Sequence, residues 1–516
     1  MYVDMKTKPD CLVRAGLLAG GLLFALTSLA GSGVEQNLEK KFPVGPGGKL
    51  VIEADRGAID VATGASDKVQ VRVLREAKGA TKTQADALFA NHEVTFNQEG
   101  KTVTVTAREK KKRTTFWGRQ PWLEVRYEVS IPKAFDVKLT TAGGNIQVGE
   151  LEGSAFAHTT SGSIDLPRVT GRVEAQDAGG NITVGEAGAD LTAHTTSGSI
   201  TAKRVKGRVD ASDAGGDIQV NEAGGDVVAG TTSGSITLGA IKGKVTATDA
   251  GGNIKIESAE GDIEARTTSG SVEVKLAKGK SVRVKNAGGN ISIGEADGDV
   301  RAHTTSGTIQ VHAAQGRVDA EDAGGNIEIG DAGEVSAQTT SGAVRVHKAR
   351  GKLDVKDAGG DINIGETGGE AVVRTTSGSV AVGVAVGKLT VHNAGGDIKV
   401  KDARDIVTAE TSSGSIEVLF SSPLRGECRL AALGGGVRVA LPKSAAIDLD
   451  AKASGGTVLC DLPVTMTVRG APKPGVLGGK LNGGGPALVL RASSGDIHLK
   501  ESPTARLQVE DEVPGK

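Results

Sequence analysis

The chain has 516 residues, of which 76 are glycine and only 2% are aromatic, which excludes a core built on large aromatic side chains. Its 61 basic and 62 acidic residues are interspersed and give a formal net charge of -1, which argues against a broad nucleic-acid-binding surface. Apolar and polar residues alternate through most of the chain, which favours a thin β-rich core over disorder.

The N-terminus has the form of a secretory signal peptide. Basic residues, including Arg14, precede an apolar stretch at 15–29, and small residues mark a cleavage site at Ala30. The alternative is a retained membrane anchor, but this stretch is short for crossing a bilayer. We therefore expect residues 1–30 to be removed and the protein to be exported to the periplasm, the cell surface or the extracellular space.

Residues 31–134 predict the start of a solenoid together with a strand-rich cap or insertion. Two glycine-led strands begin at Gly48 and Gly57, nine residues apart, before the pattern is lost. A short helix is expected at 84–90. The expected strands of the cap are 69–74, 94–96, 102–107 and 123–129. Such a segment would cover the solenoid end against edge-to-edge growth.

Residues 135–420 carry a glycine at nearly every ninth position, with one extra residue near Lys280. Each nine-residue unit holds a short alternating strand and a corner, and we expect these glycines to supply turns with positive φ. Two units would close a coil of about 18 residues with two opposed faces. In one unit, Ile182 and Val184 should point inward. The predicted fold is therefore an all-β, single-chain β-solenoid.

Two kinds of corner alternate, which gives a longer repeat of about 36 residues. One contains Ala-Gly-Gly-Asn/Asp-Ile and usually follows an aspartate, as at Asp177 and Asp213; the other contains Thr-Thr-Ser-Gly-Ser. The glycine-rich aspartate corners invite comparison with calcium-binding nonapeptides, but their Gly-x-Asp spacing is missing. In another repeat, Asn286 occupies the position before Ala-Gly-Gly that aspartate holds in these corners. Hydrogen bonding within the corner is the expected role.

Histidines and threonines also recur at equivalent positions. His158, His194 and His303 precede the Thr-Thr pairs, where other repeats carry arginine, glycine, glutamine or glutamate. This variation indicates a solvated corner rather than a metal site. Adjacent threonines should point to opposite faces, which argues against an ice-binding threonine face.

Residues 421–516 predict a looser C-terminal solenoid end and cap. Gly435, Gly456 and Gly495 still begin alternating strands, whereas 471–486 is rich in glycine and proline and is expected to be a loop. Cys428 and Cys460 both fall on inward positions. Export would permit a disulfide between them, and buried free thiols are the alternative.

A basic, aromatic segment lies between two predicted strands of the cap and contains both tryptophans of the chain. Its candidate binding residues are Lys110, Lys111, Lys112, Arg113, Phe116, Trp117 and Trp122. Such a loop could contact an anionic membrane surface peripherally or bind a glycan. The simpler alternative is a hairpin connection whose aromatic side chains pack onto the cap.

The chain resembles the bacterial DUF4097 family of β-strand-repeat proteins, whose members are provisionally called adhesins. The likeness lies in the paired strands at 48–52 and 57–61, the entry into the repeats at 129–133 and the closing motif at 494–497. This resemblance implies an exported β-solenoid linked to cell surfaces or envelope stress, without established catalytic residues.

The sequence thus predicts a non-enzymatic surface or periplasmic scaffold that binds an envelope component, a glycan or a partner protein. No cofactor, metal or catalytic residue is assigned. The alternative is a carbohydrate-active β-helix enzyme acting on polysaccharide. Such enzymes place clustered carboxylates on long loops, whereas the corners between Gly144 and Gly414 are uniformly short.

Overall fold

The computed structural model describes residues 33–65, 67–111, 121–466 and 474–502. Within these ranges the chain forms one α-helix and 44 β-strands, and all the strands belong to one connected hydrogen-bonded network. The predicted signal peptide, residues 1–30, lies outside the described residues.

The N-terminal part combines two solenoid strands with a small mixed cap. Its elements are β1 (Val34–Phe42), β2 (Gly48–Ala54), β3 (Ala58–Gly64), β4 (Val69–Lys78), α1 (Lys82–Asn91), β5 (His92–Glu99), β6 (Thr102–Glu109) and β7 (Trp122–Pro132). Thr81 begins the helix with a capping box, in which its hydroxyl accepts from the Gln84 backbone N–H and the Gln84 side chain accepts from the Thr81 N–H.

The regular part consists of short strands separated by corners. Its elements are β8 (Phe135–Thr141), β9 (Ile146–Val148), β10 (Ala155–His158), β11 (Ile164–Val169), β12 (Val173–Gln176), β13 (Ile182–Ala187), β14 (Leu191–His194), β15 (Ile200–Val205), β16 (Val209–Ser212), β17 (Ile218–Ala223), β18 (Val227–Gly230), β19 (Ile236–Ile241), β20 (Val245–Thr248), β21 (Ile254–Ala259), β22 (Ile263–Thr267), β23 (Val272–Ala277), β24 (Ser281–Asn286), β25 (Ile291–Ala296), β26 (Asp299–Thr304), β27 (Ile309–Asp322), β28 (Ile327–Gln338), β29 (Val344–Ala349), β30 (Leu353–Asp357), β31 (Ile362–Thr367), β32 (Ala371–Thr375), β33 (Val380–Ala385), β34 (Leu389–Asn393), β35 (Ile398–Ala403), β36 (Val407–Thr411) and β37 (Ile416–Phe420).

The C-terminal part continues the same architecture less regularly. Its elements are β38 (Cys428–Ala432), β39 (Val437–Leu441), β40 (Ile447–Ala453), β41 (Val458–Cys460), β42 (Val476–Leu481), β43 (Ala487–Ala492) and β44 (Ile497–Glu501).

Successive coils stack as parallel strands in register, and the coil length is 18 residues. Ile164 pairs with Ile182, which pairs with Ile200. The predicted all-β solenoid with about 18 residues per coil is therefore confirmed. The extra residue near Lys280 lengthens one coil, because Ile263 pairs with Val282, 19 positions later.

Each coil contributes one strand to each of two sheets. The front sheet contains the even-numbered strands β8 to β26, the C-terminal halves of β27 and β28, and the even-numbered strands β30 to β38. The back sheet contains the odd-numbered strands β9 to β25, the N-terminal halves of β27 and β28, and the odd-numbered strands β29 to β39. Ile182 and Val184 are fully buried, as the alternation predicts.

The repeat glycines are required for close stacking rather than for positive φ. Within 135–420 only Gly144 and Gly378 have φ in the left-handed region, so the predicted role in turns is wrong for the others. A methyl group on Gly198 would instead overlap the carbonyl oxygen of Gly180 in the preceding coil. Glycine is needed because consecutive corners approach each other through their backbones.

At both ends of the solenoid, the order of the strands in the stack differs from their order in the sequence. The first coil, β2 and β3, lies between β6–β7 on its outer side and β8–β9 on its inner side. Antiparallel β4 and β1 extend one sheet beyond β7, and antiparallel β5 extends the other beyond β6. At the far end, β43 and β44 lie between β38–β39 and β40–β41.

The loop expected at 471–486 is wrong in its central part. Residues 476–481 form β42, which pairs antiparallel with β40. Gly478 and Gly479 interrupt the alternation of apolar residues and so obscure the strand in the sequence. Gly479 is needed there because an added methyl group would contact the Val464 side chain and the Thr465 carbonyl.

Candidate binding surface

Buried polar side chains hold one corner of every regular coil, and aspartate alternates with threonine. Asp213 accepts hydrogen bonds from the Gly215 N–H at 3.1 Å and the Gly216 N–H at 2.6 Å. In the next coil, the Thr231 hydroxyl donates to the Gly216 carbonyl at 3.1 Å, and the Gly234 N–H lies 3.3 Å from the hydroxyl oxygen. The corner hydrogen bonding expected from the sequence is therefore observed.

The alternation separates buried carboxylates that would otherwise be adjacent. This corner column contains Thr159, Asp177, Thr195, Asp213, Thr231, Asp249, Thr267, Asn286, Thr304, Asp322, Thr339, Asp357, Thr375, Asn393 and Thr411. Burial raises the pKa of Asp249 and of Asp322. Because parallel strands lie about 4.8 Å apart, an all-aspartate column would place buried like charges at that distance.

Opposite charges also alternate along the back sheet. Arg204 donates to Glu222 at 2.7 Å and lies 3.4 Å from Glu186 on the other side. The hydrogen bond from Arg204 lowers the pKa of Glu222. Charged side chains on neighbouring coils therefore pair with each other along this part of the back sheet.

The front sheet departs from this alternation where five basic side chains are stacked on successive strands. This basic cluster consists of Arg266, Arg283, Lys285, Arg301 and His303, all exposed. Arg266 pairs in register with Lys285, and Lys285 with His303, so these three lie in one column on successive strands. Arg283 pairs with Arg301 in the adjacent column. Like charges directly opposite each other are unfavourable in a sheet.

Acidic residues flank the basic cluster without neutralising its centre. Arg266 lies 2.5 Å from Glu264, Arg301 lies 3.2 Å from Asp319, and the His303 ring lies 3.4 Å from Glu321. Arg283 and Lys285 have neither an ion pair nor a side-chain hydrogen bond within the part of the chain that the structure describes. The two central cations are thus available to an external anion.

A second basic cluster lies further along the same column of the front sheet. It consists of Lys356, Arg374 and His392, and Glu410 follows His392 as Glu321 follows His303. The His392 ring lies 3.5 Å from Glu410. These residues line an open groove of about 630 Å³, which extends to the exposed Leu433.

The histidines singled out from the sequence do not converge. His158 and His194 lie in the same front-sheet column but are two coils apart, with Gln176 between them. The His194 ring lies 2.5 Å from the Ser212 hydroxyl. Among the described residues, no group of three or more histidine, cysteine, aspartate or glutamate side chains is placed to hold a metal ion.

The structure describes only part of the basic, aromatic segment. Lys112, Arg113, Phe116 and Trp117 lie outside the described residues. Asn91 holds the backbone of Lys111 through two hydrogen bonds, and Lys110 lies 3.9 Å from Glu93. Trp122 is 56% exposed, with the Lys78 ammonium 5.4 Å from its ring centroid. This ring therefore lies on the cap surface rather than within it.

Cys428 and Cys460 are free thiols in the structure. Cys428 begins β38, where its sulfur accepts from the Val407 N–H, and Cys460 ends β41. The two strands pair with different neighbours, because β38 contacts β36 and β43 whereas β41 contacts β44. Burial raises the pKa of both thiols.

The sequence matches a known family along most of the chain. The model of the family described as Toastrack DUF4097 matches residues 48–312 and 314–500. The chain belongs to the Toastrack family. The resemblance inferred from the paired N-terminal strands and the repeats is thereby confirmed, and among curated proteins no relative of this Toastrack chain is found.

Several solved structures are similar to this Toastrack protein. One is a protein from Clostridium sporogenes provisionally named a cell adhesion protein, with 8% identity, a TM-score of 0.14, and coverage of 90% of this chain and 100% of that one. Another, from Bacteroides fragilis and provisionally named an adhesin, has 10% identity, a TM-score of 0.15, and coverage of 71% and 97%. A third, from Parabacteroides distasonis and provisionally named a lipid binding protein, has 11% identity, a TM-score of 0.14, and coverage of 80% and 99%.

The Toastrack cap contains a buried polar cluster that sequence reasoning missed. His92 and Tyr127 are almost completely buried, and the His92 ring lies 3.5 Å from the Asp55 carboxylate. Arg75 donates to the carbonyls of Phe89 and His92 at 3.0 and 2.6 Å. Burial lowers the pKa of His92 and raises that of Tyr127. These residues are far apart in sequence, so no local motif marks them.

Across the described ranges, the Toastrack chain has no helix that is both long enough and apolar enough to traverse a bilayer.

Proposed function

We propose that this Toastrack protein is an exported, non-enzymatic binding rod that acts as an adhesin-like surface or periplasmic scaffold. Its partner would be an envelope component, a glycan or another protein. The observation that carries this proposal is the front sheet, where a basic cluster is exposed on a long face and its two central cations have no ion pair with any described residue.

The short corners support binding along a face rather than catalysis in a cleft. Between Gln176 and Ile182 the corner has five residues, and between Ala187 and Leu191 it has three. The described aspartate corners use their carboxylates to accept backbone N–H groups, as Asp213 does. A glycoside hydrolase would instead need two carboxyl groups facing one bound sugar.

Export is supported by the form of residues 1–30, and peripheral contact with an anionic membrane is a separate part of the proposal. The exposed Trp122 ring and its neighbour Lys78 favour that contact, since aromatic and basic side chains together suit a headgroup region.

The experiment is incubation of the purified mature protein with acidic and neutral polysaccharides, followed by two measurements. Co-sedimentation or biolayer interferometry reports binding, and size-exclusion chromatography reports the polymer length. We expect at least one polymer to be bound with its length unchanged. Release of oligosaccharide would contradict the proposal and favour the carbohydrate-active β-helix enzyme.

A further inference from the structure

We propose that the two basic clusters of the front sheet form one binding track for a linear acidic polysaccharide that lies along the rod axis. This inference rests on the proposed binding function and names the class of ligand. The track is the column Arg266, Lys285 and His303, continued by Lys356, Arg374 and His392, together with Arg283 and Arg301 beside it.

The basic cluster places like charges opposite one another and is unfavourable for the folded rod by itself. Arg283 and Arg301 are opposite each other in register, as are Arg266 and Lys285. Parallel strands lie about 4.8 Å apart, so these cations repel one another across neighbouring coils. Each of these arginines has a carboxylate opposite it on one side only, Glu264 for Arg283 and Asp319 for Arg301, whereas Arg204 has a carboxylate on both sides. An external polyanion would remove the repulsion.

The same order of side chains occurs twice in one column of the front sheet. Two basic residues are followed by histidine and then glutamate, at Arg266 to Glu321 and again at Lys356 to Glu410. The second set begins five coils after the first, through Lys285, His303, Glu321, Gln338 and Lys356. At about 4.8 Å per coil the two sets are about 24 Å apart.

The arrangement of the cations indicates the shape of the ligand. In-register stacking aligns equivalent side chains in columns that run from coil to coil, so the cations form a line rather than a ring. A linear polymer that carries anionic groups along its length matches such a line. A chain long enough to reach both clusters would bind more tightly than a fragment that reaches one, because the second contact becomes intramolecular.

The side chains around the basic cluster favour a polysaccharide ligand over the other common polyanions. Nucleic-acid surfaces for single strands offer aromatic side chains for base stacking, whereas aromatic residues make up only 2% of this chain. A membrane-binding face offers apolar side chains to the bilayer. The outward residues of β22, β24 and β26 are all charged or polar: Glu264, Arg266, Ser281, Arg283, Lys285, Asp299, Arg301 and His303. Hydroxyl-rich, carboxylated or sulfated sugars suit this polar face best.

The test uses polygalacturonate and dextran sulfate as probes, each as long chains and as trisaccharide-length fragments, with biolayer interferometry at low and high salt. The variant Arg283→Gln/Lys285→Gln removes the two central cations of the basic cluster. The matched control is Arg345→Gln/Lys401→Gln, which removes two exposed cations of the back sheet that also have no ion pair in the described structure. Circular dichroism and thermal unfolding confirm that each variant is folded.

We expect the wild-type protein to bind at least one long-chain probe more tightly than its fragment, and binding to weaken as salt rises. The Arg283→Gln/Lys285→Gln variant should bind that probe about fivefold to tenfold more weakly, the size expected for two exposed charge contacts. Its thermal stability should equal or exceed that of the wild type, because like-charge repulsion is removed. The control should bind as the wild type does.

Three results with the polysaccharide probes would overturn the track. These are no binding of either probe at low salt, equal binding by the wild type and the Arg283→Gln/Lys285→Gln variant, or an equal loss in the back-sheet control. Stronger binding of duplex DNA or of phosphatidylglycerol vesicles than of either polysaccharide would also overturn it. None of these results would contradict the proposed non-enzymatic binding function. Shortening of a bound polymer would refute that function instead.

Discussion

Substituting Thr231 by aspartate tests why two kinds of corner alternate. Thr231 is buried between Asp213 and Asp249 of the neighbouring coils and donates its hydroxyl hydrogen to the Gly216 carbonyl. An aspartate there would lose that donor and would place three carboxylates in one column about 4.8 Å apart. We expect Thr231→Asp to destabilise this part of the rod strongly at neutral pH.

The size of the effect follows from two terms. Each pair of charges about 4.8 Å apart repels by about 3.5 kcal/mol at an effective dielectric constant of about 20, so two pairs would cost about 7 kcal/mol. The new carboxyl group can avoid this repulsion by taking up a proton, which at pH 7 costs about 4 kcal/mol for a group of ordinary pKa. This cost is the upper limit of the electrostatic destabilisation. The expected destabilisation is therefore about 4 kcal/mol at pH 7.

The pH dependence has a definite sign. Like-charge repulsion raises the pKa of the new carboxyl group in the folded state above its unfolded value. The folded state then binds more protons between these two values, so the penalty shrinks as the pH falls, by about 1.4 kcal/mol per pH unit. At about pH 4, near the ordinary pKa, most of the lost stability should return.

Hydrogen exchange with mass spectrometry on peptides covering 227–252 measures this local stability, since a rod of repeats need not unfold in one step. Thr231→Asn is the matched control, because asparagine has the shape of aspartate without its charge. Asn286 shows that the column accepts it, donating to the Gly270 carbonyl at 2.7 Å. Equal protection in Thr231→Asp and Thr231→Asn at pH 7 would refute the reasoning.

Three further predictions concern the cap and the stacking of coils. Since burial lowers the pKa of His92, the cap should lose stability as the pH falls through about 6.5, where the unfolded histidine is protonated first. His92→Gln should remove this dependence in hydrogen exchange of α1, and an unchanged profile would contradict it. Gly198→Ala should cost about 2 kcal/mol or more in urea unfolding, because the methyl group meets the Gly180 carbonyl. Gly230→Ala, whose methyl group has its nearest neighbour at 3.9 Å, should cost no more than about 0.5 kcal/mol, and similar losses in both would refute the stacking role. Trp122→Ala should weaken co-sedimentation with anionic liposomes more than Trp122→Phe does, and equal sedimentation of all three proteins would exclude this contact.

The fold was predictable because its information is local and repeated. The alternation around Ile182 and Val184 fixes which side chains point inward, and the nine-residue glycine period indicates the coil length. The role of Gly198 was not predictable, because the atom that excludes a side chain there belongs to the previous coil. Local turn chemistry suggested positive φ instead.

The candidate site was harder to foresee, because its residues meet only through stacking. Lys285 lies 19 positions after Arg266 and 18 before His303, so the basic column is visible only once the coil register is known. The change from an 18-residue to a 19-residue step near Lys280 further masks it. His92 and Tyr127 are brought together by the return of the chain over the first coil, which no short motif encodes.

Export is the premise on which the functional account depends, and fractionation of the native host tests it most directly. Intact cells are treated with a mild external protease, the fractions are probed for the protein, and its N-terminus is determined by mass spectrometry. We predict a chain that begins after Ala30 and is found in the envelope or the medium. A chain that retains residues 1–30 and stays in the cytosol, beyond the reach of the protease, would contradict the account.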